Sequence, residues 1–185
     1  MKSASDSAPP RANKWRLKRT LKRAVDFRPI EDQDIRWIFA AYKKGDLGGI
    51  GEKFKDGLMG ADEFKIEFQK YVLENFHAVW TLFGQTSRGV IPLGIVFATW
   101  APGGSYMIVN GMCWFPWSSK RNKIEAMVNF LSGIRSQFQL MFFAAPEHKR
   151  MYEVCMMHGI VRRIGTSNAV FPGKSAAVFE TRAVK

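Results

Sequence analysis

The residues best suited to chemistry lie between positions 106 and 159. An apolar strand pattern ending at Trp114 leads through Phe115-Pro116-Trp117 into Ser118-Ser119-Lys120-Arg121-Asn122-Lys123. Either serine can cap a helix, because a hydroxyl accepts hydrogen bonds from unpaired first-turn N–H groups. A helix that starts directly after a strand aims those N–H groups and the positive end of its dipole outward, the arrangement that holds phosphates. Lys120, Arg121 and Lys123 put three cations on the same turn. Cations oppose the dipole at a helix start, so they read either as a solvated basic turn or as point contacts to an anion. Trp114, together with Trp100, Phe115 and Trp117, offers flat surfaces that stack on adenine or other bases. The other reading of that cluster is core packing or a subunit contact in an oligomer.

Other chemistries fail on spacing. Gly173-Lys174-Ser175 imitates the end of a P-loop, but position 168 is Asn and the residues after Ser175 alternate like a strand. His148, His158, Cys113 and Cys155 make no recognised ligand spacing, so no metal is expected. GxSxG is absent. Between positions 75 and 124 there is no Asp or Glu, which leaves Glu67, Glu74, Glu125, His77 or water to accept a proton.

These groups need a scaffold, and the periodicity supplies one. Ile124, Met127, Val128, Leu131 and Ile134 recur at helical spacing. Residues 140–143 read as a short buried strand, and Pro146 opens a helix that carries Met151, Val154, Cys155 and His158 to Gly159. Upstream, residues 25–28 read as a strand. Asp32 or Asp34 caps a helix with Ile35, Ile38, Phe39 and Tyr42 on one face, and residues 61–74 form a second helix. The glycine-rich stretch between them reads as a loop. Residues 76–84, 90–100 and 107–114 alternate as strands, and 162–171 and 176–182 close the chain as a hairpin through Pro172-Gly173. The predicted order is β α α β β β α β α β β, a mixed α/β class, since hairpins join the middle strands.

The 185 residues carry a net charge of +12, unevenly spread. Residues 1–25 hold eight Lys/Arg against Asp6 alone. Lys14, Arg16, Lys18, Arg19, Lys22 and Arg23 crowd into ten positions with Trp15, Leu17 and Leu21 between them. The division is a basic flexible arm, residues 1–24, and a folded domain, residues 25–185. The arm reads as a solubilising tail or as a polyanion-binding segment whose lysines and arginines contact phosphate without reading bases. Two cysteines make no disulfide framework and suit a reducing interior, cytoplasmic or inside a particle assembled in a cell. The longest apolar run, 90–101, is too short to span a bilayer and contains Pro92. The N-terminus lacks the apolar core of a signal peptide.

This order, with a strand–turn–helix at its centre and a helix ending in Gly159 before a hairpin, resembles the GNAT-type N-acyltransferase superfamily over roughly residues 25–182. The resemblance implies a central mixed sheet flanked by about four helices. It also implies that the strand before the central helix splays from its neighbour and admits acyl-CoA. In that family the pyrophosphate sits on a loop reading Arg/Gln-x-x-Gly-x-Gly/Ala. Aligned through Pro116, Ser119 takes the Arg/Gln position, Asn122 the first glycine and Ile124 the last, with no glycine between Phe115 and Gly133. Glycine there lets backbone approach phosphate, and here Lys120, Arg121 and Lys123 supply charge in its place. The ligand implied by the resemblance is acetyl-CoA or another acyl-CoA, held by Trp114, Ser118, Ser119, Lys120, Arg121, Asn122 and Lys123, with transfer to an amine. The family's proton donor stands four residues before the helix-ending glycine, which is Cys155, with Tyr152 three residues earlier on the same face. Degenerate GNAT-like proteins also occur among internal virion proteins of tailed phages. That gives a second implied function: a catalytically silent component of a virion or other nucleoprotein assembly, in host cytoplasm or virion, docking on nucleic acid or a virion protein through its arm.

Overall fold

A computed structural model describes residues 26–45, 47, 54, 58–86, 89–144, 148–171 and 173–182. Lys14, Arg16, Lys18, Arg19, Lys22 and Arg23, and with them the arm boundary, lie outside the described residues. So do Pro146 and Pro172.

The elements come in the predicted order: β1 (Phe27–Pro29), a single 3-10 turn (Asp32–Asp34), α1 (Ile35–Tyr42), α2 (Ala61–Glu74), β2 (Ala78–Thr86), β3 (Gly89–Trp100), β4 (Met107–Trp114), α3 (Lys120–Ile134), β5 (Leu140–Ala144), α4 (Lys149–Met157), β6 (Val161–Phe171) and β7 (Lys174–Thr181). Seven strands form one sheet in the order β1-β2-β3-β4-β5-β7-β6. Every neighbouring pair is antiparallel except β4–β5. That pair is joined by a crossover through α3, as parallel neighbours require.

Each face of the sheet carries its own core. On one side α3 and α4 pack Met127, Phe130, Leu131, Tyr152 and Cys155 against Trp80, Leu82, Leu140 and Phe142. On the other, α1 and α2 pack Ile38, Tyr42, Phe64 and Phe68 against Ile95, Phe97 and Cys113. Tyr42 and Phe64 stack at 4.7 Å between ring centroids, and Phe64 meets Phe68 at 5.8 Å. Within the same cluster the Tyr42 hydroxyl accepts from Met59 N at 3.1 Å.

The start of α1 differs from expectation. Glu31 caps the 3-10 turn in a capping box with Asp34. The Asp34 carboxylate, instead of capping α1, turns inward to accept from Arg28 Nη1 and Nη2 at 2.8 and 2.9 Å and from Thr81 Oγ1 at 3.0 Å. A buried carboxylate needs such partners. Arg28, which also lies over the Phe83 ring, provides the charge.

Candidate ligand pocket between β4 and β5

The parallel pairing of β4 with β5 is short. It joins Met107 to Leu140, Ile108 to Met141 and Val109 to Phe142 and then stops, although β4 runs on to Trp114. Two irregularities shape this opening. In β4, Phe97 pairs with Gly111 and Ala98 with Val109, so Asn110 is an extra residue that bends the strand. In β3, Leu82 pairs with Gly94 and Phe83 with Pro92, so Leu93 is extra. Pro92 lacks the N–H a regular ladder needs, and a bulge tolerates that.

The β3 bulge ties down the turn before α3. Leu93 O accepts from Phe115 N at 2.9 Å and from Ser118 Oγ at 2.6 Å, while Pro92 O accepts from Trp117 Nε1 at 2.6 Å. Trp117 stacks on Phe115 at 5.0 Å and meets Trp37 edge-on at 5.8 Å. Ser119 is the helix cap, its Oγ accepting from Asn122 N at 3.2 Å. The α3 N-terminus is therefore held against the sheet from both sides.

At the mouth of the opening lies a pocket of about 250 Å³ lined by Trp114, Lys120, Lys123, His148, Arg150 and Met151, with Ile124 on its α3 wall. Two helix starts thus converge on one cavity, α3 contributing two lysines and α4 an arginine beside its His148 cap. Lys123 Nζ stands 6.0 Å from the Trp114 ring, a cation–π arrangement. Apolar wall and cationic rim together suit a ligand with an apolar body and an anionic end.

Of the residues singled out by sequence, Trp114, Lys120 and Lys123 line this pocket. Ser118 is spent on Leu93 and Ser119 on its own helix. Asn122 is half-buried, and Arg121 Nε donates to Glu125 Oε1 at 2.8 Å across one helical turn. Tyr152 and Cys155 lie inside the core, 3% and 0% exposed. The Tyr152 ring packs against Phe142 at 4.8 Å and Phe179 at 5.1 Å, which also meet each other at 5.6 Å. Burial pushes the pKa of the Cys155 thiol up to about 12 and raises that of the Tyr152 hydroxyl as well. His77, at the other end of the sheet strands, packs on Tyr71 at 5.0 Å and Phe97 at 5.7 Å. Its Nδ1 has no hydrogen-bond partner among the described residues, and desolvation lowers its pKa.

Sequence reasoning missed His148, Arg150 and Met151 as pocket residues. The signal was the basic run His148-Lys149-Arg150 at a predicted helix start. Among the described residues, no three His, Cys, Asp or Glu side chains gather as a metal site, and no helix is long and apolar enough to cross a membrane.

No family model matches the sequence, and no curated protein matches it. Solved structures do. A GNAT-family acetyltransferase from Bacillus cereus superposes with a TM-score of 0.57 at 12% identity, over 88% of this chain and 99% of the other. A substituted form of the spermidine N-acetyltransferase SpeG from Vibrio cholerae gives 0.58 at 12% identity, over 84% and 92%. An aminoglycoside N-acetyltransferase gives 0.61 at 11% identity, over 86% and 97%. The chain has the fold of the GNAT acetyltransferases.

Proposed function

We propose that the chain binds an acyl-CoA in the opening between β4 and β5 and transfers its acyl group to an amine. The observation that carries this reading is the coincidence of the pairing break after Val109 and Phe142 with a cationic pocket at the first turn of α3. In this reading Lys120, Lys123 and Arg150 hold the phosphates as point charges, replacing the backbone approach that glycines would permit. The pantetheine arm runs along β4 past Trp114 towards the Asn110 bulge. The amine nitrogen attacks the thioester carbonyl, the C–S bond breaks, and the proton lost by nitrogen reaches the departing thiolate through water. Tyr152 and Cys155 hold the core on the α3–α4 side, because a hydroxyl and a thiol pushed that far up are poor donors to a thiolate.

The sealed Tyr152 and Cys155, and the absence of carboxylates from β2, β3 and β4, also favour a second reading: binding of CoA without turnover. Calorimetric titration of the purified chain with acetyl-CoA and desulfo-CoA tests the shared premise. Saturable heat at micromolar concentration with both is expected; no heat at millimolar ligand overturns both readings. Release of free CoA thiol with a panel of amines then separates them, since binding without release leaves only the second.

A further inference from the structure

A second cavity, on the opposite side of the sheet from α3 and α4, has no part in that reading. It is a groove of about 420 Å³ between the β1–α1 corner and α2. Ile30, Ile35, Phe68, Val72 and Leu73 make its apolar surface. Glu31 and Asp32 make its rim, where Lys65 Nζ and Gln69 Nε2 approach Asp32 at 2.7 and 3.0 Å. Apolar side chains are also exposed on the groove wall itself, on α2 and in the turn after α2. Leu73 is 74% exposed, Ile66 63% and Phe76 83%. Phe76 holds a φ of 51°, a conformation that a bulky residue rarely adopts.

Charge and connectivity point to one occupant. Residues 26–74 hold eleven acids against eight bases, the only net-acidic part of the chain, whereas residues 75–185 hold four acids against twelve bases. The arm, with eight bases against one acid, is repelled by the larger part and attracted by the smaller. Trp15, Leu17 and Leu21 give it apolar anchors between its cations. It enters the fold at Asp26, only four residues before Ile30 on the groove wall. Leu21 is nine residues from Ile30, a reach of up to about 30 Å when extended. A tether of that kind raises the local concentration of the arm to about the millimolar range, so a weak contact suffices.

We propose that residues 14–23 dock within their own chain into the groove between the β1–α1 corner and α2, with Trp15, Leu17 and Leu21 on its apolar surface and the arm's cations facing Glu31 and Asp32. The inference does not depend on acyl-CoA binding.

Limited trypsin digestion of the full chain tests it, because the arm itself carries the cleavage sites. The cleavage rate within residues 14–23 is measured by mass spectrometry against a synthetic peptide of residues 1–25. Docking predicts cleavage about tenfold slower in the chain than in the peptide, since proteolysis tracks the open population, and a rate independent of protein concentration. Leu73→Ser, at an exposed position, and Leu17→Ser with Leu21→Ser, outside the described fold, should each restore the peptide's rate. Equal rates in chain and peptide overturn the proposal. Protection that grows with protein concentration overturns it in favour of a second copy, and protection that requires added duplex DNA overturns it in favour of nucleic acid.

Discussion

The indole of Trp114 lies directly against Gly94. A methyl group on that glycine would stand 2.8 Å from Trp114 Cε3 and 2.5 Å from the carbonyl oxygen of Cys113. The glycine is required for space, because β3 and β4 pair here at Gly94–Trp114, next to the β3 bulge. Its missing side chain is what lets the indole reach the pocket wall. Gly94→Ala should therefore cost about 1–3 kcal/mol through overpacking, read from urea denaturation. It should also weaken acetyl-CoA binding by displacing Trp114. Unchanged stability would mean that the strands relax apart without loss.

The pocket charges separate from their neighbour on the same helical turn. Lys120→Ala, Lys123→Ala and Arg150→Ala should each weaken acetyl-CoA by about tenfold or more, since hydrogen bonds to charged groups contribute about 1.5–3 kcal/mol. Arg121→Ala should leave the affinity within about twofold, because that side chain turns to Glu125 and an exposed pair of this kind contributes little. Raising salt from low to high should weaken binding to the wild type. An Arg121→Ala loss as large as the others would place the phosphates on the outer face of α3.

Both cysteines are buried, and burial pushes each thiol from 9.0 up to about 12. In the unfolded chain the thiols ionise first, so between about pH 9 and 12 the unfolded state binds fewer protons and stability falls as pH rises. Below pH 9 this contribution is fully present. Cys155→Ala should flatten the alkaline slope of stability against pH, measured by denaturant midpoint. Neither thiol of the native chain should react with a disulfide reagent at pH 8 faster than the chain unfolds.

The Arg28–Asp34 pair is the fastening of β1 to α1. Asp34 is buried and its carboxylate takes Arg28, Thr81 and the Glu31 N–H. Arg28→Met leaves that charge without its counter-ion and should destabilise by about 3–5 kcal/mol. The double change Arg28→Met with Asp34→Leu should recover much of the loss, which thermal denaturation of the three variants decides.

Much of the scaffold was legible because its signals are local. The helix 61–74 and the strand 107–114 have the same bounds in sequence and structure. In one, Phe64 and Phe68 mark a buried helical face, and in the other, apolar alternation ends at a turn. Ser119 as cap of α3 was one of two serines the sequence offered. The choice between them was not local: Leu93, an extra residue in another strand, takes Ser118. The basic run from His148 to Arg150 was legible as a run, but nothing near it in the chain says that its helix starts opposite Lys120 and Lys123.

The sequence by itself determined the order and type of the elements, the unequal spread of charge and the mixed α/β class. Hydrophobic period, caps and turn residues act within a few positions of one another. Only the tertiary structure decided that β7 lies between β5 and β6, that the β4–β5 pairing ends at Val109 and Phe142, and that Tyr152 and Cys155 are buried in the core on the α3–α4 side. Those outcomes rest on which distant surfaces pack best on the two faces of one sheet, a comparison that no single stretch of chain contains.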